Sequence, residues 1–345
     1  MLFVKPDAIE TFLFELLTKV GLNSKCARHT AKALTLANLR GVESHGIRLI
    51  SHYVEAIKAG RINKEPNFVW QNTTSGIEIL DADHAIGFRS GKEAMKKACK
   101  LAEQNGIGYV GVKNSSHGGM LAYYTMEAAK KGFITVTGTN TSPKMIPPNG
   151  TKGFLGTNPL SYAVPIAEDE VLCFDAATTQ ITGNKVKLYK NKGITLPAGV
   201  AADHKGVETQ NPEEAVYLMP FGGYKGFGIA LLIDILTGAL LGMPNSENVS
   251  AMYGSEISKK RFLGQFFIAI DINKVTHLGA FKSILNEEIM RLRKSSKTGE
   301  ISVPGDIELN TMKDRLEKGI PLDEYLVTEL KILGRDLSIN SPIFN

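Results

Sequence analysis

The apolar residues of this chain follow two different spacings, and the change from one to the other limits the folds open to it. Between Ile9 and Val20 they recur at helical intervals, which predicts an amphipathic helix that Asp7 can cap and Gly21 can end. The same spacing predicts two further helices, one that Ser24 caps and that runs through about Leu39, and one at Ile47–Ala59. The N-terminal part of the chain is therefore expected to be helical.

Short apolar runs typical of strands begin near residue 76 and alternate with helical patterns. Strands are predicted at 77–80, 107–112, 133–138, 160–165, 172–174 and 266–271, with helices at 92–104, 120–131 and 227–241. Helices alone return from about residue 281, apart from a loop-like stretch at 290–300. A chain of 345 residues usually exceeds a single core. We therefore predict an α/β protein in which residues 1–75 and 276–345 form a discontinuous helical domain around an inserted mixed-sheet α/β domain at 76–275.

Composition and charge argue against several classes of protein. The net charge of +5 comes from 40 Lys and Arg against 35 Asp and Glu without a dense basic block, so nucleic acid is not expected as a partner. Cys26, Cys99 and Cys173 lie far apart and form no CxxC pair, which favours a reducing, cytoplasmic location. No signal peptide is evident, and the most apolar segment, Phe227–Met243, contains Asp234, so we expect a buried helix and no membrane partner.

Two glycine motifs resemble nucleotide-binding sequences without having their context. Gly106–Gly111 matches GxGxxG, but a Rossmann fingerprint follows a strand and opens a helix, whereas this motif follows a predicted helix and is itself a predicted strand. We therefore expect Gly106 to end the helix. Gly87–Lys92 resembles a shortened P-loop with Glu93 in place of the magnesium-binding Ser or Thr, and we expect a turn that enters a helix.

The segment Gly41–Arg48 holds three chemically useful side chains within five residues, namely Ser44, His45 and Arg48. At the start of a helix Ser44 and Arg48 would share a face. An arginine offers a planar fork for a carboxylate, and a histidine can transfer a proton near neutral pH. On spacing alone, a helix cap with solvated polar groups explains the segment equally well.

Three loops are further candidates. His117 lies between Ser116 and two glycines after a predicted strand, where a ligand can approach the backbone, although a lone loop histidine is often merely exposed. Thr157 and Asn158 offer polar groups in a tight turn. Lys225 adds a charge to a glycine-rich helix start of the kind that holds phosphate, with packing as the alternative. The seven histidines make no HxxxH or HxH pair, so no metal site is predicted.

Taken together, these motifs resemble the NAD(P)-dependent malate/L-lactate/L-sulfolactate/ureidoglycolate dehydrogenases, a family unrelated to the Rossmann-fold lactate and malate dehydrogenases. The resemblance covers nearly the whole chain and rests on ANLRGVESHGIRLISHYV, NSSHGG, LGTNPLSYAVP, FDAATT, GGYKGFGIALLIDILTGALLG, FLGQFFIAID and VPGD followed by GIPLDE. It implies a non-Rossmann fold, with a helical domain from both chain ends, an α/β cofactor domain and assembly as a homodimer.

The resemblance also implies roles for individual residues. His45 and His117 match the histidines with acid–base roles in different members, and Ser44 and Arg48 match residues at the substrate pocket. Asn184 departs from the family, where Gly is common at this position. The implied cofactor contacts, to which we add Asn158 from the turn described above, are Thr141, Asp175, Ala176, Ala177, Tyr224, Lys225, Pro304, Gly305 and Asp306.

The sequence therefore predicts reversible oxidation of a small 2-hydroxy acid with a nicotinamide cofactor. GVESHGIRL is most similar to malate-type members, so malate and oxaloacetate are the leading pair. Ureidoglycolate and lactate-type substrates are alternatives, and a non-catalytic nucleotide-binding protein is a more distant one. NAD is expected rather than NADP, because no pocket for a 2′-phosphate is evident. Either His45 or His117 can be the principal acid–base residue.

Overall fold

Three β-sheets and ten α-helices make up the described part of the computed structural model, which comprises residues 1–254, 256–296, 299, 301–339 and 343. The strands are β1 (Leu2–Val4), β2 (Val69–Thr74), β3 (Ile77–Asp81), β4 (Ile107–Ser115), β5 (Phe133–Thr139), β6 (Leu160–Pro165), β7 (Val171–Ala176), β8 (Ala201–Ala202), β9 (Tyr217–Leu218), β10 (Leu263–Asp271) and β11 (Ile320–Leu322). The helices are α1 (Pro6–Lys19), α2 (Ser24–Leu39), α3 (Ile50–Lys58), α4 (Gly87–Asn105), α5 (Ala122–Ala129), α6 (Gly183–Lys192), α7 (Tyr224–Thr237), α8 (Leu278–Lys294), α9 (Asp306–Lys318) and α10 (Glu324–Asp336).

The largest sheet has seven strands in the order β2-β3-β4-β10-β5-β6-β7. Among its described strands only β3 and β4 pair in parallel, and every other neighbouring pair is antiparallel. A doubly wound Rossmann sheet is mostly parallel. The predicted mixed α/β fold that is not a Rossmann fold is therefore confirmed.

The GxGxxG segment serves packing within this sheet. Gly106 ends α4 with φ +84°, as expected, and Gly108 and Gly111 lie inside β4. A Cβ on Gly108 would come within 2.7 Å of Leu101 in α4, whereas a Cβ on Gly111 would come within 2.4 Å of Leu241. Residues three apart in a strand face opposite sides. Helix α4 therefore covers one face of the sheet, and the turn after α7 covers the other.

The two ends of the chain meet in a small sheet, in which β1 pairs antiparallel with β11 and Leu2 lies opposite Leu322. The apolar side of α1 packs against α2, and Leu13 and Leu34 are fully buried there. The edge strand β2 precedes residue 76 and pairs with β3, so the large sheet reaches across the predicted boundary. The division into a discontinuous helical domain and an inserted domain stays a prediction.

Most predicted elements are present with shifted ends. Helix α2 ends at Leu39 as predicted, but Ser24 is its first residue and the N-cap is Asn23, whose side chain accepts a hydrogen bond from the Cys26 N–H at 2.9 Å. The helix predicted at 47–59 begins with a 3₁₀ turn and is α-helical only in α3. The loop predicted at 290–300 is wrong in its first part because α8 continues to Lys294, while residues 297, 298 and 300 lie outside the described residues.

Helix α7 differs from the expected buried helix. Tyr224–Leu241 is the one segment, within the part of the chain that the structure describes, with the length and mean hydropathy of a membrane span, and 39% of it is buried. Ala230 and Ile233 are buried, whereas Leu232 and Ile235 are 55% and 46% exposed. The expectation fails because α7 packs on β4, β5 and β10 with one side only.

Candidate active site

The segment Gly41–Arg48 folds as two consecutive 3₁₀ turns and not as an α-helix. Asn38 fixes these turns, because its side-chain oxygen accepts a hydrogen bond from the Ile47 N–H at 2.7 Å. The backbone approaches this oxygen so closely that a Cβ on Gly46 would lie 1.9 Å from it. A glycine is therefore required at position 46, and the geometry of the segment is tightly set.

The 3₁₀ turns separate the side chains that an α-helix would align, so the prediction that Ser44 and Arg48 share a helical face is wrong. Ser44 Oγ lies 2.9 Å from His45 Nδ1. Arg48 instead forms an ion pair at the surface with Asp323, the N-cap residue of α10. Its role at a substrate carboxylate stays a prediction, and it would require this ion pair to open.

His117 follows β4 on a loop that backbone contacts hold in place. Its carbonyl oxygen accepts a hydrogen bond from the Gly87 N–H at 3.2 Å, and the Gly118 carbonyl accepts one from the Tyr124 hydroxyl at 2.6 Å. A Cβ on Gly118 would lie 2.7 Å from Gln265 Nε2, so this position has no room for a side chain. The histidine is therefore carried on a fixed loop at a strand end.

The fold brings the two predicted histidines together. The ring centroids of His45 and His117 are 5.8 Å apart, and the ring planes differ by 22°. Tyr53, buried in α3, places its hydroxyl oxygen 2.6 Å from His117 Nδ1. Sequence reasoning missed Tyr53 because it lies among the buried residues of α3 and has the pattern of an ordinary core residue.

Burial keeps both histidines uncharged near neutral pH. It lowers the pKa of His45 below its ordinary value. It lowers the pKa of His117 much further, and the neighbouring basic groups His45, Arg261 and His52 act in the same direction. A neutral imidazole has one nitrogen that can accept a proton. The pair therefore has the chemistry of an acid–base centre for a substrate hydroxyl.

Asp175, Ala176 and Ala177 lie where β7 ends, beside the start of α5. The Ala122 N–H donates a hydrogen bond to the Asp175 carboxylate at 2.7 Å. Protein atoms crowd this carboxyl group and raise its pKa to about 7, against the opposing charge of Arg40, although solvent reaches it from one side. These residues line a solvent-accessible strand end, as a cofactor-contact segment would.

Pro304, Gly305 and Asp306 lie against the same strand. The Cys173 N–H in β7 donates to the Pro304 carbonyl at 3.1 Å. Asp306 begins α9, and its carboxylate accepts hydrogen bonds from Arg293 at 2.9 and 3.0 Å. Two of the predicted cofactor segments are therefore adjacent, although the charge of Asp306 is already paired within the protein.

Thr141 and Asn158 form one junction below α7. The fully buried Asn158 accepts a hydrogen bond from the Thr141 N–H at 3.0 Å and donates one to the Ala230 carbonyl at 3.0 Å. The hydroxyl oxygens of Thr141 and Thr157 are 3.2 Å apart. Asn158 thus positions the Thr141 turn against α7 with both ends of its amide engaged, and its direct contact with a cofactor stays a prediction.

The start of α7 has the open backbone that a phosphate group requires. Gly222 and Gly223 have φ values of +56° and +63°, and no side chain of a described residue caps the helix. Nothing lies within 4 Å of a Cβ built on Gly223, and Tyr224 and Lys225 are exposed. The first N–H groups of a helix lack internal partners and attract anions. These residues therefore fit the phosphates of a dinucleotide.

Asn184, which departs from the family pattern, links α6 to the His45 segment. Its side-chain amide donates to the Ser44 carbonyl at 3.3 Å. No group of three or more His, Cys, Asp or Glu side chains placed to hold a metal occurs in the searched, described part of the chain. The residues that the structure brings together around a possible substrate are thus two histidines and a tyrosine.

Comparison with known proteins agrees with this chemistry. Residues 4–331 match the family model described as malate/L-lactate dehydrogenase. The chain is 34% identical to a malate dehydrogenase of Pyrococcus abyssi over 97% of this chain and 95% of that protein. It is 35% identical to an NAD(+) ureidoglycolate dehydrogenase of Escherichia coli over 84% of this chain and 82% of that protein. The fold matches a sulfolactate dehydrogenase from Methanocaldococcus jannaschii with a TM-score of 0.92 and 31% identity over 98% of each chain.

Proposed function

We propose that this chain, which belongs to the malate/L-lactate dehydrogenase family, catalyses the reversible oxidation of malate to oxaloacetate. The family acts on small hydroxy or keto acids and uses nicotinamide cofactors. The observation that carries the proposal is the His45–His117 pair, whose ring centroids are 5.8 Å apart, because oxidation of a hydroxyl needs a group that removes its proton. Malate is preferred because a malate dehydrogenase matches nearly the whole chain.

His117 removes the hydroxyl proton in this proposal. Its lowered pKa keeps the ring neutral, and the Tyr53 hydroxyl occupies Nδ1, which leaves Nε2 for the substrate. A hydroxyl can donate a hydrogen bond to Nδ1 or accept one from it. Nδ1 therefore keeps its hydrogen bond in either tautomer of the imidazole ring. His45, which Ser44 holds at 2.9 Å, is the second hydrogen-bonding group for the same substrate oxygen. The chemistry that a bound nicotinamide supplies is hydride transfer.

Arg48 binds the carboxylate next to the carbinol carbon in this proposal. Its present partner is Asp323, and both side chains are partly exposed. Exposed ion pairs contribute only ~0–1 kcal/mol to stability. A substrate carboxylate can therefore replace Asp323 at little cost, and the planar guanidinium can then form two parallel hydrogen bonds with it.

The cofactor is NAD in this proposal, with NADP as the alternative. Tyr224 and Lys225 at the start of α7 hold its phosphates, and Asp175–Ala177 and Pro304–Asp306 make the contacts at β7. The preference for NAD is supported by the absence of an evident 2′-phosphate pocket in the sequence and by the NAD(+)-named relative.

A substrate panel tests the proposal. The protein is mixed with NAD or NADP and with malate, lactate, sulfolactate or ureidoglycolate, and formation of reduced cofactor is followed by absorbance. We expect the highest kcat/KM with malate and NAD. A higher kcat/KM with ureidoglycolate would replace malate by that substrate. Binding of NADH, seen by fluorescence, without oxidation of any hydroxy acid would indicate a non-catalytic nucleotide-binding protein.

The assignment of His117 is tested by His117→Ala. Loss of a general base costs ~10²–10⁴ in rate, so we expect at least a ~10²-fold lower kcat. The NADH dissociation constant should stay within a factor of ~2, because the phosphate contacts lie on other segments. Near-normal turnover in this variant would transfer the acid–base role to His45, for which His45→Ala is the companion measurement.

The exposed side of α7 supports assembly as a homodimer in the cytoplasm. Leu232 and Ile235 belong to an apolar patch of the kind that marks interaction surfaces. A second copy of the chain is the proposed occupant, and light scattering should give twice the chain mass of 37.5 kDa. A monomeric mass would contradict this assembly, and sedimentation with lipid vesicles would assign the patch to a membrane. The three buried, unpaired cysteines suit a cytoplasmic location.

A further inference from the structure

Arg261 is a buried guanidinium just before β10. It is 5% exposed, and its Nη2 donates a hydrogen bond to the Ser250 carbonyl at 2.8 Å. The Ser250 hydroxyl donates in turn to the Arg261 carbonyl at 3.1 Å, which closes the loop between them. Arg261 Nε is also buried and has no hydrogen-bond partner within the part of the chain that the structure describes. The side chain therefore keeps unused donor capacity inside the protein.

Within the part of the chain that the structure describes, no acidic group balances this cation. The described groups whose charge acts on Arg261 are Arg61, Tyr53 and Tyr253, and none of them is a carboxylate. Burial, with some help from Arg61, lowers the pKa of Arg261 to about 10, so it is still charged at neutral pH. A buried charge without a counter-ion is strongly disfavoured. The position is therefore suited to an anion that arrives from outside the chain.

Arg61 is a second buried arginine with which Arg261 can be compared. It is as deeply buried as Arg261, at 2% exposure, but its two terminal nitrogens donate to backbone carbonyls of the same loop. Nη1 donates to Met252 at 2.9 Å, and Nη2 donates to Glu256 at 2.8 Å. Arg61 thus ties the loop to the end of α3. The two buried arginines differ in where they lie in the fold, since Arg61 follows α3 and holds the loop through both terminal nitrogens, whereas Arg261 precedes β10 beside the strand that leads to His117.

Arg261 lies at the same end of the large sheet as His117, because Leu263 in β10 pairs antiparallel with Ser115 in β4 and each of the two residues lies two positions beyond this pair. Tyr53, whose hydroxyl is 2.6 Å from His117 Nδ1, is one of the groups that its charge reaches. On the outer side the His52 ring lies 4.9 Å from the Tyr253 ring, and Lys187 Nζ lies 5.3 Å above Tyr253. We call His52, Lys187, Tyr253 and Arg261 the basic lobe. It contains one buried cation, Arg261, and one exposed cation, Lys187.

We propose that the basic lobe binds the second acid group of the substrate, with Arg261 as the residue that recognises it. This inference rests on the proposed function, because it needs a 2-hydroxy acid at His117. The forked guanidinium matches the oxygens of a carboxylate or sulfonate. Malate and sulfolactate carry such a group beyond the carbinol carbon, whereas lactate has a methyl group there. Arg261 therefore sets the preference for dianionic over monoanionic hydroxy acids.

The test is the ratio of kcat/KM for malate to kcat/KM for lactate in Arg261→Met and Arg261→Lys. A hydrogen bond to a charged group contributes ~1.5–3 kcal/mol, so we expect the ratio to fall ~10- to 100-fold in Arg261→Met. Arg261→Lys keeps the charge without the fork and should lie between this variant and the parent. Arg61→Lys is the matched control, for which the ratio should not change. An unchanged ratio in both Arg261 variants overturns the proposal.

A binding measurement separates this proposal from the proposed function. Malonate should raise the unfolding temperature of the parent protein more than acetate does at equal ionic strength, and Arg261→Lys should reduce that difference. If malonate stabilises the parent protein but not Arg261→Lys, and no hydroxy acid is oxidised, the dianion site stands and the dehydrogenase proposal fails. If malate is oxidised but malonate stabilises the parent and Arg261→Lys equally, the dehydrogenase proposal stands and the role of Arg261 is overturned.

Discussion

The Tyr53 hydroxyl is the hydrogen-bond partner of His117, and its contribution to catalysis can be tested by removing it. In Tyr53→Phe the buried Nδ1 of His117 loses its partner. We expect kcat for malate oxidation to fall ~10-fold with KM within a factor of ~2, because an unpaired buried nitrogen costs ~1–3 kcal/mol in one tautomer. Steady-state kinetics over a range of pH would show this as a lower plateau. Tyr123→Phe is the control, since it removes a hydroxyl from the Nδ1 of His29, which is not one of the two histidines of the site. Equal kinetics in both variants would contradict the role of Tyr53.

Asp323 has two separable tasks, because one carboxylate pairs with Arg48 and also caps α10. Asp323→Asn keeps an acceptor for the Leu326 N–H, now at 2.9 Å, but removes the charge. If Asp323 competes with the substrate for Arg48, KM for malate should fall ~3-fold in this variant, within the ~0–1 kcal/mol of an exposed ion pair. Asp314→Asn, which opens the Lys318 ion pair elsewhere, should leave KM unchanged. A higher KM in Asp323→Asn would remove Arg48 from the carboxylate site.

The start of α7 depends on a backbone conformation that only glycine adopts readily. Gly223 has φ +63° and ψ −123°, so Gly223→Ala would be strained by ~1–3 kcal/mol and would shift the first N–H groups. We expect the NADH dissociation constant to rise at least ~5-fold in a fluorescence titration. Gly199→Ala is the control, because it has φ +74° and open space around it in another loop. Unchanged NADH binding in Gly223→Ala would place the phosphates elsewhere.

Elements with a clear apolar stripe could be predicted from the sequence, and exposed elements could not. Helix α2 has the predicted end and strand β6 has the predicted bounds, because burial imposes their spacing. Helix α6 was missed because Val186 is its one buried residue among those described, which leaves no stripe. Strand β2 was missed for the same reason, since five of its six residues are exposed. Periodicity reports burial, so elements held by local hydrogen bonds leave little trace in it.

Contacts between residues that are far apart in the sequence are the part of the site that could not be predicted. His45 and His117 each stood out from their neighbours, and the family resemblance joined them. Asp323 is 275 residues from Arg48, and Tyr53 is 64 residues from His117. No spacing rule relates residues so far apart, because the fold alone brings them together. The sequence therefore indicates single side chains, whereas their partners emerge only from the structure.

At the scale of the whole molecule, buried histidines set the response to acid. Burial lowers the pKa of His29 and His52 to about 4, and it also lowers those of His45, His84 and His117. Below pH ~6.5 the unfolded chain therefore binds more protons than the folded protein, so the free energy of unfolding falls as the pH falls. Three carboxyl groups with raised pKa values, Asp175 at about 7 together with Glu10 and Asp234, act in the opposite direction but are three groups against five.

We expect the urea midpoint to be lower at about pH 5 than at about pH 7, with most of the loss between those values. His29→Gln, which cannot take up a proton, should show a smaller difference between the two midpoints. A midpoint that is equal or higher at the lower pH would show that the raised pKa values of the three carboxyl groups outweigh the histidines.

The position of β10 in the large sheet has a consequence for synthesis of the protein. This strand lies between β4 and β5, yet it leaves the ribosome long after both of them. Until it arrives, two strand edges with unpaired backbone groups face the same gap, and such edges recruit other chains. The nascent polypeptide is therefore most prone to aggregate in the interval before residue 271 emerges. Slow translation at low temperature lengthens this interval for each chain. It also lowers the number of incomplete chains that are present at the same time. Yield should follow the second effect, because aggregation depends on encounters between two incomplete chains.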